Sequence, residues 1–538
     1  MTFLHKLFFF PLSSFSLSLF SWWGSLLLLL LLLAPVPVPC YPWSYSCDGT
    51  NVTWTTGLCS RQRSLPGVPS TSLARCSLTC LPTKALWPLP LVFSQADTVA
   101  EFDIDTVEVT LETTEELANL VEEAVDRQLE ILKNKASASD YKQGLSLLRI
   151  IVMLEHEELT HDLETDESYG LHIHHDDPVL TVEITAKNYF GARHAIETVF
   201  QLADWDPVTN TFIMVDEAVV EDGPAFPHRG IMLDTARHFI SVDKMKELVD
   251  SMSYSKLNVL HWHITDVQSF PLVLESQPSM ALYGAYSPAQ VYTPHIIKEI
   301  RDYALARGVR IIPEIDGPSH AGAGWQAFHP SFTVCLEKKP WYSYCRSPPC
   351  GQLNPISSGM YEILQDIHRE VLELFDPTYL HLGGEEFHLG CWNSTESIVT
   401  WLENRGRGRQ EEDFLYLWSY FQNQSYSNIV AASQQLGLDS PPKITLWSSK
   451  VTAPDFIHFL DPEIHTIQIW TDSTDLAEPA IKTVAEAGFK MIFSNSDGAY
   501  LDCGFAGWVW EGNNWCSPYK SWQQVYQVRG DMIYGSKY

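Results

Sequence analysis

The chain has 538 residues, of which 45% are hydrophobic and 12% aromatic; 66 Asp+Glu against 35 Lys+Arg leave a net charge of −31. That balance argues against a nucleic-acid binder, because affinity for phosphate backbones comes from Lys and Arg. With 18 Trp, 22 Tyr and 25 Phe it is not a disordered chain either. The length allows about two to four domains, and an acidic, Trp-rich protein suits neutral or cationic ligands, sugars among them, that stack on indole faces.

Residues Leu7 to Ala34 are almost wholly apolar or small, behind the weakly positive His5-Lys6. At about 28 residues the stretch is long enough to span a bilayer, and no clean A-x-A cleavage site follows. It reads as a removed signal peptide or an uncleaved signal-anchor; either way the rest of the chain is expected in the secretory pathway: secreted, lysosomal or membrane-anchored. The 11 cysteines contain no C-x-x-C zinc pair. They read as disulfides, with local pairings such as Cys47/Cys59, Cys76/Cys80 and Cys503/Cys516. Sequons at Asn51, Asn393 and Asn423 agree with a lumenal or extracellular fate.

After the leader (1–34), residues 35–91 are rich in Pro, Ser and Cys without periodicity and read as a stapled linker. Residues 92–223 read as a small α+β domain: strands at Val107–Leu111, Leu148–Leu154 and Leu180–Thr185, helices at Glu115–Asn134 and Gly191–Ala203. From 224 to 538 strand and helix alternate. Strand-like runs are Gly230–Thr235, Val259–Thr265, Val309–Ile315, Tyr379–Gly383, Ile444–Trp447, Ile464–Trp470 and Lys490–Ser494. Helical patterns lie at Val242–Ser253, Pro294–Arg307, Met360–Phe375, Phe414–Leu436 and Leu476–Ala487. Short buried strands joined by helices indicate α/β architecture, and seven of them fit a (β/α)₈ barrel better than an open sheet. No eighth strand is evident after Val528, so the barrel is expected to lack its last βα unit.

Barrel enzymes carry their chemistry at the C-terminal strand ends. Here those ends read Asp234-Thr-Ala-Arg237-His238, His261-Trp-His263-Ile-Thr-Asp266, Glu314-Ile-Asp316-Gly-Pro-Ser-His320 and His381-Leu-Gly-Gly-Glu385-Glu386, with Trp447 and Trp470 closing the next two. They predict one polar pocket with aromatic walls. Gly383-Gly384 allow a backbone turn that brings both Glu385 and Glu386 into it, where the two carboxylates titrate as a pair, one held protonated as a general acid.

The blocks Arg229–His238, Lys256–Asp266 and His381–Glu386 resemble β-N-acetylhexosaminidases of glycoside hydrolase family 20. Asp502-Cys-Gly and Glu511–Tyr519 look most like the arthropod branch, whose members degrade chitooligosaccharides or trim N-glycans. The resemblance covers roughly residues 40–528. It implies a zincin-like α+β domain without zinc, a (β/α)₈ catalytic barrel, no cofactor, β-GlcNAc-terminated oligosaccharides as ligands, and a homodimer. It implies substrate-assisted chemistry, in which the sugar's own acetamido oxygen attacks the anomeric carbon. Glu386 would then be acid and base, Glu385 would orient the acetamido group, and Asp266 and His320 would stand behind Glu386. Arg237 and Asp502 would hold hydroxyls, Trp447, Trp470 and Tyr500 would wall the sugar, and Trp515 would stack beyond it.

Two departures matter. The family pattern is Gly-Gly-Asp-Glu, whereas Glu385 stands in place of the Asp; its extra methylene is expected to slow turnover. The eighth strand, with its Trp wall and sugar-binding Glu, is not found, which predicts a low melting temperature. These favour a rival reading, a catalytically dead glycan binder; intact Glu386, Arg237, Asp266 and His320 favour the enzyme. A metal site is not expected. His172, His174 and His175 read as an exposed strand end, and His261 and His263 as core or supporting histidines rather than zinc ligands.

Overall fold

The computed structural model describes residues 43–47, 59–65, 69–80, 86–136, 142, 145–470, 479–496, 498–502 and 519–526. The leader Leu7–Ala34, Asn51, Cys40, Cys503, Cys516 and Trp515 lie outside them. Among the described residues no helix is long and apolar enough to cross a membrane.

The expected linker 35–91 contains regular structure. Strands Trp43–Cys47 and Cys59–Arg63 pair antiparallel, and helix Leu73–Cys80 lies on them. The disulfides run Cys47–Cys80 and Cys59–Cys76, which corrects the local pairing read from sequence. Cys47 and Cys59 are cross-strand neighbours, while Cys76 and Cys80 sit one helical turn apart on one face. Each helical cysteine therefore reaches a different strand. Arg75 ties this unit to the neighbouring sheet through Asp206, at 2.8 Å, and Glu101, at 3.1 Å.

That sheet is mixed and has, among the described residues, eight strands, ordered Val92–Gln95, Glu217–Asp222, Tyr169–Asp176, Val179–Ala186, Ser146–Leu154, Val99–Leu111, Thr211–Val215 and Ala203–Asp206. Helices Glu115–Asn134 and Tyr189–Gln201 cover the face that carries Leu148, Ile150 and Val152. Asn188 starts the second helix by accepting the N–H groups of Phe190 and Gly191. The sheet is larger than the three strands legible in sequence. Thr211–Val215, for example, is buried at every position, so no alternation marks it.

Among the described residues the barrel wall has seven parallel strands paired in sequential order: β1 Gly230–Asp234, β2 Val259–Thr265, β3 Arg310–Ile315, β4 Tyr379–His381, β5 Lys443–Trp447, β6 His465–Ile469 and β7 Lys490–Phe493; the stretch after Val528, read as lacking an eighth strand, lies outside them. Helices Val242–Tyr254, Pro294–Leu305, Ser358–Phe375, Glu411–Leu436 and Pro479–Glu486 lie between them, close to the sequence reading. Every residue of β2 and β3 is buried, as a parallel sheet covered by helices requires. Disulfides Cys335–Cys391 and Cys345–Cys350 tie loops at the strands' C-terminal ends.

The two units are joined beneath the barrel. Segment 155–168 of the first passes under the second, where Leu163 packs on Val259, Ile312 and Tyr379. The buried Glu167 pairs with Arg229 at 2.7 Å and His194 at 3.1 Å and accepts from Asn258 at 3.1 Å. Burial would raise its carboxyl, but hydrogen bonds from His161, His194 and Arg229 outweigh that and hold it far below the usual range.

Candidate active site

Parallel pairing sets the site's geometry. Asp234, His263, Glu314, His381 and Thr445 occupy paired positions across β1 to β5, forming one row near the C-terminal strand ends. His261 and His263, two apart on β2, face the same side. Both reach the fully buried Glu314, whose Oε2 lies 2.8 Å from His261 Nε2 and 2.8 Å from His263 Nδ1. Trp447 Nε1 donates to Glu314 Oε1 at 2.8 Å. Burial would lift the Glu314 carboxyl, but the imidazoles of His381, His263 and His261 hold it well below the carboxylate range.

From Glu314 a line of alternating charge runs outward. His263 Nε2 is 3.2 Å from Asp266 Oδ2, Asp266 is 3.0 Å from His320 Nδ1, and His320 Nε2 is 3.1 Å from Glu386 Oε2. Burial disfavours charge on both histidines. The Glu314 and Asp266 carboxylates reverse this for His263, as Asp266 does for His320, and both are raised well above 6.5. Asp266 moves the opposite way: His320 and Arg237 overcome its burial and lower it. Arg237 is clamped between Asp234, at 2.6 Å, and Asp266, at 2.7 Å, and remains about one-third exposed.

The turn after β4 delivers the two glutamates. Gly383 and Gly384 have φ of 62° and 98°, and Glu386 itself has φ 52°. A Cβ on Gly383 would lie 1.6 Å from Asp316 Oδ1, so only glycine fits there. Gly384 N–H donates to that oxygen at 3.1 Å, and Trp418 Nε1 donates to Gly384 O at 2.8 Å. Both glutamates then approach one imidazole nitrogen: Glu385 Oε1 is 3.8 Å from His320 Nε2, against 3.1 Å for Glu386. His320 too adopts a left-handed backbone, at φ 54°. Non-glycine residues held there carry strain, and such strain concentrates at functional sites.

The carboxyls are driven apart. Burial, then the charge of Asp316, pushes Glu385 well above the ordinary range. Burial also acts on Glu386, but the hydrogen bond and charge of His320 outweigh it and its carboxyl is lowered. Asp316 is pushed up to about 7 by burial, against the pull of His320. Glu385 and Asp316 are thus the carboxyls that hold a proton more readily, while Glu386 is the one hydrogen-bonded to His320. Two buried oxygens here, Glu385 Oε2 and Asp316 Oδ2, have no hydrogen-bond partner among the described residues.

The sequence model described as "Glycosyl hydrolase family 20, catalytic domain" matches residues 226–534, and one described as "beta-acetyl hexosaminidase like" matches residues 86–202. The chain belongs to glycoside hydrolase family 20. It is similar to the chitooligosaccharidolytic β-N-acetylglucosaminidases of Ostrinia furnacalis, 38% identical over 90% of this chain and 80% of that protein, and Bombyx mori, 37% identical with the same coverage. Among solved structures it resembles the Vibrio harveyi family 20 exo-β-N-acetylglucosaminidase in complex with N-acetylglucosamine. That match has a TM-score of 0.62 at 23% identity, covering 83% of this chain and 66% of that one. This family 20 protein is accordingly a glycosidase with β-N-acetylhexosaminidase function.

Of the residues singled out in the family 20 sequence, Arg237, Asp266, His320, Glu385 and Glu386 come together as described. Trp447 is 5% exposed, with its ring beside His261 and His381 and its N–H on Glu314. Trp470 is half-buried, its indole N–H bonded to Ser448 O at 2.7 Å. Tyr500 stands near the glutamates: burial and the charges of Glu385 and Asp502 raise its phenol. Asp502 is exposed, as are Asn393 and Asn423. The sequence reading assigned no role to Glu314 or Asp316. The H-x-H spacing of β2 was the available signal, since it demands an inward counter-charge once β2 is buried on both faces. Arg346, in the Cys345–Cys350 loop, was also missed; its charge helps hold Glu386 down.

Proposed function

We propose that the chain removes terminal β-linked GlcNAc or GalNAc from oligosaccharides by exo-acting, retaining, substrate-assisted hydrolysis. The observation that carries this is the buried, unpartnered Glu385 Oε2 beside a glutamate hydrogen-bonded to a charged imidazole. A buried acceptor without a donor is costly, and the sugar's acetamido N–H supplies one. That donation favours the charged form of Glu385. So fixed, the acetamido oxygen forms its bond to the anomeric carbon as the glycosidic C–O bond breaks. The leaving oxygen takes the proton held between His320 and Glu386; Glu386 then accepts one from the water that opens the oxazolinium ion. Asp266 keeps His320 charged and oriented in the resting state. Arg237 and Asp502 are suited to sugar hydroxyls, and Trp470, Tyr500 and Trp515 to its faces.

The names of the insect relatives support chitooligosaccharides as the first substrates to test. Four disulfides support a chain that folds in an oxidising compartment. The test is release of GlcNAc from a chromogenic β-GlcNAc substrate, with anomeric configuration followed by NMR. Retention, together with inhibition by a thiazoline mimic and no trapped glycosyl-enzyme, is the expected result. Inversion or a covalent adduct would exclude substrate assistance, and binding without release would support the glycan-binder reading.

A further inference from the structure

The eight-stranded sheet carries a histidine group far along the chain from the glycosidase site. On strand Tyr169–Asp176, Leu171 and Ile173 are buried while His172 and His174 point to the other face. Cross-strand register supplies a carboxylate to each: Glu183 lies directly opposite His172, and Glu217, on the far side, directly opposite His174. Residues directly opposite across an antiparallel pair share a face. The imidazole centroids are 5.0 Å apart, and Glu183 Oε2 is 3.4 Å from His172 Nδ1. One ligand atom from each of His172, His174 and Glu183 lies within 4.8 Å of the other two.

We propose that His172, His174 and Glu183 bind a divalent transition-metal ion, with zinc as the test ion. Three supports are independent of sequence spacing. His174 Nδ1 is sheltered from solvent and has no hydrogen-bond partner, so a ring nitrogen is free to coordinate. The side chains remain part-exposed, at 48% for His172, 33% for His174 and 42% for Glu183, so they can close in on an ion. The donors need only contract to roughly 3.3 Å separations around a tetrahedral centre, leaving an open position for water. Finally, the field favours a cation. Strands Val179–Ala186 and Glu217–Asp222 contain no basic residue, and the one on strand Ser146–Leu154, Arg149, is already paired with Glu108 at 3.0 Å. Two imidazoles and a carboxylate suit zinc or copper over calcium or magnesium.

The test uses the full chain, free of affinity tags and stripped with chelator. Zinc titrated against a competing chromogenic chelator should reveal one saturable equivalent that H172A/H174A lacks; E183Q should weaken it by about tenfold. Equal zinc uptake by wild type and H172A/H174A would overturn the proposal. Because those variants could disturb the strand, the wild type provides a second measurement: zinc should protect His172 and His174 from diethyl pyrocarbonate, mapped by mass spectrometry. Unchanged modification of both in saturating zinc would overturn the site equally.

Discussion

Replacing Gly383 by alanine tests whether the turn after β4 sets the positions of the two glutamates. The added Cβ would lie 1.6 Å from Asp316 Oδ1, 2.1 Å from its Cγ and 2.8 Å from its Cβ, so the whole side chain is in the way. Restoring a van der Waals separation of about 3.4 Å requires a relative movement of about 1.8 Å. Asp316 is buried and bonded to Gly384 N–H, so either that bond breaks or the turn moves. A left-handed alanine costs about 1–2 kcal/mol and the lost hydrogen bond about 1, so stability should fall by about 2–3 kcal/mol. If Glu385 and Glu386, two and three residues on, shift by about 1 Å, kcat should drop on the order of 10²-fold. The assay is kcat on a chromogenic β-GlcNAc substrate alongside thermal melting. In G383A/D316A the space is opened and the steric part of the stability loss should return. A G383A enzyme with kcat within about threefold of wild type and an unchanged melt would refute the coupling of this glycine to the site.

Three further outcomes are expected. In D266N the imidazolium of His320 loses its main support, so the basic limb of the kcat/KM–pH profile, set by loss of the His320–Glu386 proton, should move down by about 1–3 units; an unmoved limb would mean that another group titrates there. E385D should raise kcat if the longer side chain misplaces the acetamido group, and an Asp variant no faster than wild type would show that the backbone already compensates. His368, buried in helix Ser358–Phe375, is lowered to about 3 by burial, so between pH 6.5 and 3 the unfolded chain binds the proton that the folded one refuses. Stability is thus lost as pH falls through that window, by about 2 kcal/mol at pH 5, and H368L should narrow the difference between the pH 7 and pH 5 melting temperatures; an equal difference in both proteins would count against it.

The barrel was legible because each of its strands is a short apolar run followed by polar text, and because helical spacing fills the intervals. The same periodicities were poor guides to the first sheet, where Thr211–Val215 is buried on both faces and Val92–Gln95 has only four residues. Within the site, resemblance placed Asp266 and His320 behind Glu386 without saying how the three pair. Which glutamate is raised and which lowered was not legible either. It depends on which carboxyl faces Asp316 and which faces His320, a question of side-chain direction at a left-handed turn that spacing does not encode. The disulfides failed for a similar reason: proximity in sequence placed Cys76 with Cys80, whereas a helix turns both toward a hairpin.

The loop beneath the barrel has a bearing on how this enzyme can be cut or engineered. Leu163 and Glu167 belong, by position in the chain, to the first sheet, yet one closes the barrel's underside and the other anchors Arg229 at the entry to β1. A cut between residues 223 and 224 would leave the catalytic half with a greasy opening where Leu163 had been and a half-buried arginine without its anion. Excised alone, that half should aggregate, and it should be rescued by supplying the first unit in trans. For this chain the unit to express or transplant is the pair.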